Sequence, residues 1–404
     1  MSSSTPPGMI SRLLIPAAVL ITVPGLLMRF GVFHNGPGTE ALIFGAGLLG
    51  AAFMLSWAAE VIQMDISQGF ALALLALIAV LPEYAVDMVF AWKAGVDSHI
   101  YGPVLVNHSS LALANMTGAN RLLIGLGWPM VLFIFFLKSK NRSLALAKEH
   151  STEVFYLTCA TVYAFTIPFK GRLTLFDAAV FLALFGVYIV RTLRAEVGEP
   201  ELVGPAAVIG TFKPVMRRII TVGLFFFSGM VIFLSAEPFA ESLVAFGRES
   251  GIDEFLLVQW LAPLASEAPE FMVAAIWAFR GHAQAAMGAL ISSKVNQWTL
   301  LVGTLPIVFS IAAGKVGAMI LDVRQDHEIW LTAGQSIFAV AILSNLKISW
   351  YGAVLLVVLF VTQLIVAEIR MEVFAAYLVF AAIILIRDYK HLPSLVRIGL
   401  KFKR

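Results

Sequence analysis

Four carboxylates stand in stretches of sequence that are otherwise apolar. Glu83 and Asp87 lie within Leu81-Pro82-Glu83-Tyr84-Ala85-Val86-Asp87, and Glu267 and Glu270 within Ser266-Glu267-Ala268-Pro269-Glu270. On a helix, Glu83 and Asp87 (i, i+4) share a face, as do Glu267 and Glu270 (i, i+3). In each stretch a proline immediately precedes a glutamate. Proline has no N–H, so the carbonyl one turn earlier loses its partner. Freed carbonyls and carboxylates are hard oxygen ligands for cations such as sodium or calcium. An ionisable side chain at the bilayer centre costs roughly 2.5–3.5 kcal/mol and marks an ion pathway by default. Two bases, Arg121 and Lys294, fall in similar apolar segments, so the acids outnumber the bases by two. A lysine among carboxylates would oppose a divalent ion and changes its protonation readily when desolvated. Lys294 is therefore expected to pair with Glu267 or Glu270 and to compete with the transported cation, a logic that suits exchange of a monovalent cation for protons.

The elements that must hold these groups are membrane helices. Of the 404 residues, 60% are hydrophobic and 13% charged, the latter about half the ~25% usual in soluble domains. This excludes a soluble enzyme, a nucleic-acid binder and a disordered chain. The single cysteine, Cys159, excludes an internal disulfide. Twelve hydrophobic runs extend from about residue 13 to 386. Two of them, 103–137 and 283–317, are too long for one straight crossing of roughly 20 residues, so each is one discontinuous pass or two short ones. Basic residues favour cytoplasmic loops. Twelve passes segregate the Lys and Arg outside the runs as 18 against 8, whereas fourteen give 15 against 11. Twelve passes with both termini in the cytoplasm are the expectation. The first run has no cleavage site of the A-x-A type after it and reads as a retained helix.

The chain contains an internal duplication. Ala79–Asp87 is matched by Ser266–Ala274, and Ala114–Asn120 by Gly288–Lys294. The offsets are 187 residues between Glu83 and Glu270 and 174 between Ala114 and Gly288, the first copy having the longer connector. Each unit holds five passes, and an odd number turns the second copy upside down, as in many secondary transporters. The expected fold is an all-α integral membrane protein of about 12 transmembrane helices. It divides into an extra helix at 1–39, a first inverted repeat at 40–190, a cytoplasmic linker at 191–218, a second repeat at 219–367, and a final helix and basic tail at 368–404.

A Pro-Glu in one helix followed by a G-N-x-x-G-S-N-like stretch in the next, occurring twice, resembles the calcium/cation antiporter superfamily of sodium/calcium and cation/proton exchangers. The resemblance implies that one glutamate from each repeat meets near the bilayer centre. Glu83 and Glu270 would be the paired carboxylates and metal ligands, Asn115 an amide ligand, and Ser266 a hydroxyl or carbonyl ligand. From the residues themselves, and not from the resemblance, Asp87, Glu267, Lys294, Asn120 and Arg121 are expected to stand behind them, coupling charge or protons, with direct ligation the alternative for Asp87 and Glu267. The sequence departs from the family pattern at Ala79-Val80 (usually Thr-Ser), Glu267 (a serine), Ala289 and Lys294 (asparagines) and Arg121 (an apolar residue).

The expected function is secondary antiport, a metal cation exchanging for Na+ or H+ by alternating access. The ligand is the transported Na+, Ca2+ or H+, with no cofactor. The partners are small inorganic cations and the lipid bilayer, with no nucleic acid, in the plasma membrane. Ca2+/Na+ or Ca2+/H+ exchange is the alternative within transport. An intramembrane enzyme and a passive channel are more remote, since the sequence holds no H-E-x-x-H, no G-x-S-x-G and no P-loop. Glu60 and Glu237, near helix ends, are expected to reach water. Trp128, Trp330 and Trp350 are expected at membrane interfaces. His108 is a further candidate for a proton relay.

Overall fold

A computed structural model describes residues 9–65, 81–101, 107–192 and 202–391, with Pro393 and Arg397. Ala79, Val80 and the side chain of His108 lie outside the described residues. The first half comprises α1 (Met9–Arg29), α2 (Pro37–Ile62), α3 (Leu81–Tyr101), α4 (Asn107–Leu122), α5 (Trp128–Ser139), α6 (Ser151–Ala164), α7 (Thr166–Lys170) and α8 (Leu175–Thr192). A short helix, α9 (Pro205–Gly210), precedes the second half. That half comprises α10 (Pro214–Ser250), α11 (Glu254–Phe279), α12 (Ala283–Asn296), α13 (Val302–Ala312), α14 (Val323–Ile342) and α15 (Trp350–Ile365), followed by α16 (Arg370–Arg387). Among the described residues, six helical stretches are long and apolar enough to cross a membrane by composition alone. Phe226 and Phe233 on α10 are about four-fifths exposed, as side chains facing lipid are.

The two over-long runs resolve in the same way. A π turn at Leu123–Gly127 joins α4 to α5, and another at Gln297–Leu301 joins α12 to α13. Each run is thus one continuous helical pass, Ser110–Ser139 and Ala283–Ala312. π turns widen a helix locally and recur at functional sites. The second begins 174 residues after the first, the spacing of the duplicated motif.

Four short strands show how the halves relate. β1 (Ser143–Ala145) pairs antiparallel with β4 (Lys347–Ser349), and β2 (Arg172–Thr174) with β3 (Ala318–Ile320). By position in the duplication, β1 corresponds to β3 and β2 to β4. Each strand therefore pairs with the non-corresponding strand of the other half. The registers correspond as well: Leu144 faces Ile348 as Leu173 faces Met319. Because α6 and α7 separate β1 from β2, corresponding strands mark opposite ends of the bundle. Two halves running in opposite senses would exchange partners in this way.

Helix packing follows the same crossed pattern. α3 lies against α13 and α11 against α4, so each proline-bearing acidic helix crosses the motif pass of the other half. The α4–α11 crossing is close because Gly118 has no side chain. A Cβ there would stand 1.8 Å from the Gln259 carbonyl oxygen. Pro263 removes the N–H that this carbonyl would otherwise accept from. α2 and α10 pack along one another beside this centre. Trp128 does not sit at an interface: it is fully buried, where its large apolar ring fills the core beside the first π turn.

Candidate functional site

The crossed helices bring carboxylates of both halves into one buried network. Glu83, Asp87 and Glu267 are each at most 2% exposed, and Glu270 is partly exposed. The side-chain nitrogen of Gln297, the first residue of the second π turn, donates to Glu83 Oε2 at 2.9 Å and to Glu267 Oε1 at 2.8 Å. Asn115 Nδ2 donates to Asp87 Oδ1 at 2.9 Å. Ser293 Oγ donates to Glu270 Oε2 at 2.5 Å. Glu83 and Asp87 lie one turn apart on α3, and Glu267 and Glu270 one turn apart on α11. Glu83 and Glu270 thus share the cluster but not a bridging donor. Glu83 is linked to Glu267, three residues before Glu270 and so on the same face of α11.

The network leaves oxygens over. Glu83 Oε1, Asp87 Oδ2, Glu267 Oε2, Asn115 Oδ1 and Gln297 Oε1 are buried with no hydrogen-bond donor among the described residues. Buried polar atoms are ordinarily paired. Five orphaned acceptors around one core form a donor set of the hard-oxygen kind that cations take. Among the described residues, however, no three His, Cys, Asp or Glu side chains converge on one point as a ready-made metal site. Any ion held there needs amide oxygens as well as carboxylates.

Two expectations are corrected in their geometry. Lys294 pairs with neither Glu267 nor Glu270: its Nζ donates to Asn120 Oδ1 at 2.6 Å and sits 4.4 Å from the centre of the Trp298 ring. Asn120 and Lys294 are duplicates of one another, 174 residues apart, so the bond joins equivalent points of the two halves. Trp298 and the Asn120 oxygen solvate the Lys294 amine. Arg121 is not part of the carboxylate cluster. It forms an ion pair with Glu328 of α14, which also pairs with Arg370 at 2.8 Å. Gln363 Oε1 accepts from Arg121 Nη1 at 3.3 Å, and the guanidinium lies 5.0 Å from the centre of the Trp260 ring. Ser266, expected as a hydroxyl or carbonyl ligand, donates its hydroxyl hydrogen to the carbonyls of Ala262 and Pro263, each at 3.2 Å, and this leaves its oxygen lone pairs for other partners.

Of the two outlying glutamates, Glu237 is partly exposed and pairs with Arg29. Glu60 is buried, and its Oε2 accepts from the Val203 N–H at 3.3 Å, because the segment before α9 folds over the end of α2.

Gln297, Ser293 and Glu328 escaped the sequence reading. Gln297 lies three residues after Lys294, on the same helix face, as a polar side chain in an apolar run. That position was the available signal. Glu328 falls at the edge of a hydrophobic run, where an acid resembles a loop residue.

The sodium/calcium exchanger protein family profile matches the chain twice, at residues 41–194 and 220–367. Among solved structures, the chain is similar to the H+/Ca2+ exchanger CAX, with 45% identity and a TM-score of 0.91 over 97% of this chain and 98% of that one. The Ca2+/H+ antiporter protein YfkE shares the fold at 16% identity, with a TM-score of 0.63 over 89% of this chain and 98% of that one. The sodium-calcium exchanger NCX_Mj shares it at 15% identity, with a TM-score of 0.52 over 82% of this chain and 99% of that one. No curated protein matches. Two family matches that together span most of the chain, over a fold shared with membrane exchangers, place it: the chain belongs to the sodium/calcium exchanger family and is a membrane cation antiporter.

Proposed function

We propose that the chain exchanges Ca2+ for protons across the plasma membrane, with both termini cytoplasmic. The halves 40–190 and 219–367 alternate access to a site built on Glu83, Asp87, Glu267 and Glu270, with Asn115 as an amide ligand. The observation that carries this reading is the linkage of Glu83 and Glu267, from opposite halves, through one amide, with orphaned oxygens around it. Carboxylates bind either protons or a cation, so one cluster serves both ions in turn. The likeness to an H+/Ca2+ exchanger at 45% identity supports Ca2+ and H+ as the pair.

Lys294 favours a second reading, exchange of a monovalent cation for protons, because a basic group buried one turn before Gln297, which bridges Glu83 and Glu267, opposes a double charge. Flux in proteoliposomes separates the two. An outward proton gradient is expected to drive Ca2+ uptake, with no uptake when a sodium or potassium gradient replaces it. Proton flux driven by sodium or potassium, with Ca2+ left unmoved, would overturn calcium exchange in favour of the second reading.

A further inference from the structure

We propose that a line of polar side chains beside α12, running from Glu270 through Ser293, Ser292, Tyr188 and Glu153 to His150, carries protons between the site and one end of the bundle independently of the cation. The inference rests on the calcium/proton reading above and gives its proton a route. Ser293 Oγ donates to Glu270 Oε2 at 2.5 Å, and the Tyr188 hydroxyl donates to Ser292 Oγ at 3.2 Å. Two neighbouring hydroxyls of α12 thus reach the site on one side and α8 on the other. Tyr188 is buried, and its ring centre lies 6.0 Å from that of Tyr156 on α6. Glu153 lies one turn before Tyr156, and its Oε1 is 3.6 Å from His150 Nδ1, too far for a hydrogen bond. His150 packs against Gly288, one turn before Ser292, where any added Cβ would collide with the imidazole ring. His150 and Tyr188 therefore meet one face of α12 at successive turns. Lys148 and Glu149 precede His150, and the Arg191 guanidinium lies 5.6 Å from the centre of the Tyr156 ring.

Polar atoms are left over at the far end of the line. Glu153 is 9% exposed, and its Oε2, His150 Nδ1 and Ser151 Oγ are buried with no hydrogen-bond partner among the described residues. Buried polar atoms without protein partners call for water, and so do the two steps that lack a direct bond, Ser293 to Ser292 and Tyr188 to Glu153. The duplication shows that Glu153 is not a second clamp. At the 175-residue offset that relates Leu144 to Met319, Glu153 corresponds to Glu328. Glu328 is answered by Arg121 and Arg370, whereas Glu153 stands beside a histidine, which takes up and gives up protons near neutral pH. Ser292 and Ser293 correspond to Gly118 and Ala119, so the first half lacks their hydroxyls. In delivery, Ser293 passes its hydrogen to the Glu270 carboxylate and regains one from the Ser292 side. Tyr188 refills Ser292 and is refilled from Glu153. One O–H bond breaks for each that forms, and the net change is one proton moved from the bundle end to Glu270. Release runs the same steps in reverse. Ser293 makes the line's only bond to Glu270 among the described residues, so parting of that bond when the site faces the opposite end keeps exchange coupled.

Two transport modes separate the proton's route from the cation's. Exchange of Ca2+ for Ca2+ moves no proton, whereas exchange of Ca2+ for H+ must load and unload Glu270. Tyr188→Phe removes one hydroxyl of the line, and that hydroxyl bonds Ser292 rather than a carboxylate of the site. With 45Ca2+ in proteoliposomes, its Ca2+/Ca2+ exchange is expected to match wild type. Its Ca2+/H+ exchange at saturating Ca2+ is expected to fall by about tenfold, within the roughly 100-fold that a positioned proton-transfer group supplies. Glu153→Gln keeps the shape but cannot release a proton. It is expected to show the same split, so it carries the test if Tyr188→Phe does not fold. Glu153→Asp is shorter but keeps an exchangeable proton, and its Ca2+/H+ exchange is expected to exceed that of Glu153→Gln. A role in packing alone would reverse that order. An equal change of both modes in a folded variant, no change in either, or Glu153→Gln exchanging protons as fast as Glu153→Asp overturns the proposal. Wild-type vesicles without Ca2+/H+ exchange would instead overturn the reading on which it rests.

Discussion

Two buried charged networks lie within this bundle, and they are built on opposite principles. Around Arg121, charge is answered by charge. Glu328 pairs with both Arg121 and Arg370, Gln363 accepts from the guanidinium, and Trp260 covers it. Around Glu83 and Glu267, acid faces acid. One neutral amide bridges them, and an oxygen is left over on Glu83, Asp87, Glu267, Asn115 and Gln297. Neither network is fully hydrogen-bonded, Gln363 Nε2 being left over in the first, but opposite charges meet in the one and like charges in the other, and a partly satisfied network of acids persists where function requires it. The first network ties α4 to α14 and α16 as a clamp. The second is arranged to receive charge from outside.

The contrast breaks most sharply at Glu328. Removing one partner of a buried ion pair costs about 3–5 kcal/mol, so Glu328→Gln, which strands two arginines, is expected to lower the yield and melting temperature of the purified protein severely. A variant as stable as wild type would show that the clamp is not structural. A smaller effect is expected at Lys294. Lys294→Asn removes a basic group buried one turn before Gln297, which bridges Glu83 and Glu267, and the Ca2+ concentration giving half-maximal uptake is expected to fall by roughly tenfold. An unchanged value and unchanged ion preference would confine Lys294 to joining the halves through Asn120.

The smallest effect lies outside the membrane, at Asp65. Hydrogen bonds from Arg217, and then from Arg218, hold its carboxyl below its ordinary value of 3.8. A depressed carboxylate contributes stability above its unfolded value and loses it as pH falls through the folded one. The melting-temperature advantage over Asp65→Asn is therefore expected to be full at neutral pH and to shrink below 3.8. A constant difference across that range would contradict the pairing.

Much of this could be read from the chain because membranes punish polar groups. Glu83, Asp87, Glu267 and Glu270 stood out as acids in apolar runs, and the duplicated Pro-Glu announced two related halves. The run lengths of 103–137 and 283–317 required an irregular pass, and each contains a π turn. What the chain could not display was pairing across the bundle. Lys294 and Arg121 read alike as bases beside acids. One meets its duplicate, Asn120, and the other meets Glu328, because the crossing of α4 with α11 and α14 decides the neighbours. Gln297 carries no charge and repeats no motif, so nothing in its own neighbourhood distinguished it from a tolerated polar residue.

The central claim is that acids from both halves form one site for the exchanged cation. Proton-gradient-driven 45Ca2+ uptake by Glu83→Gln in proteoliposomes tests it most directly, since glutamine keeps the shape and removes the charge. The account predicts a folded protein whose uptake falls to that of empty vesicles. Uptake at the wild-type rate would contradict it.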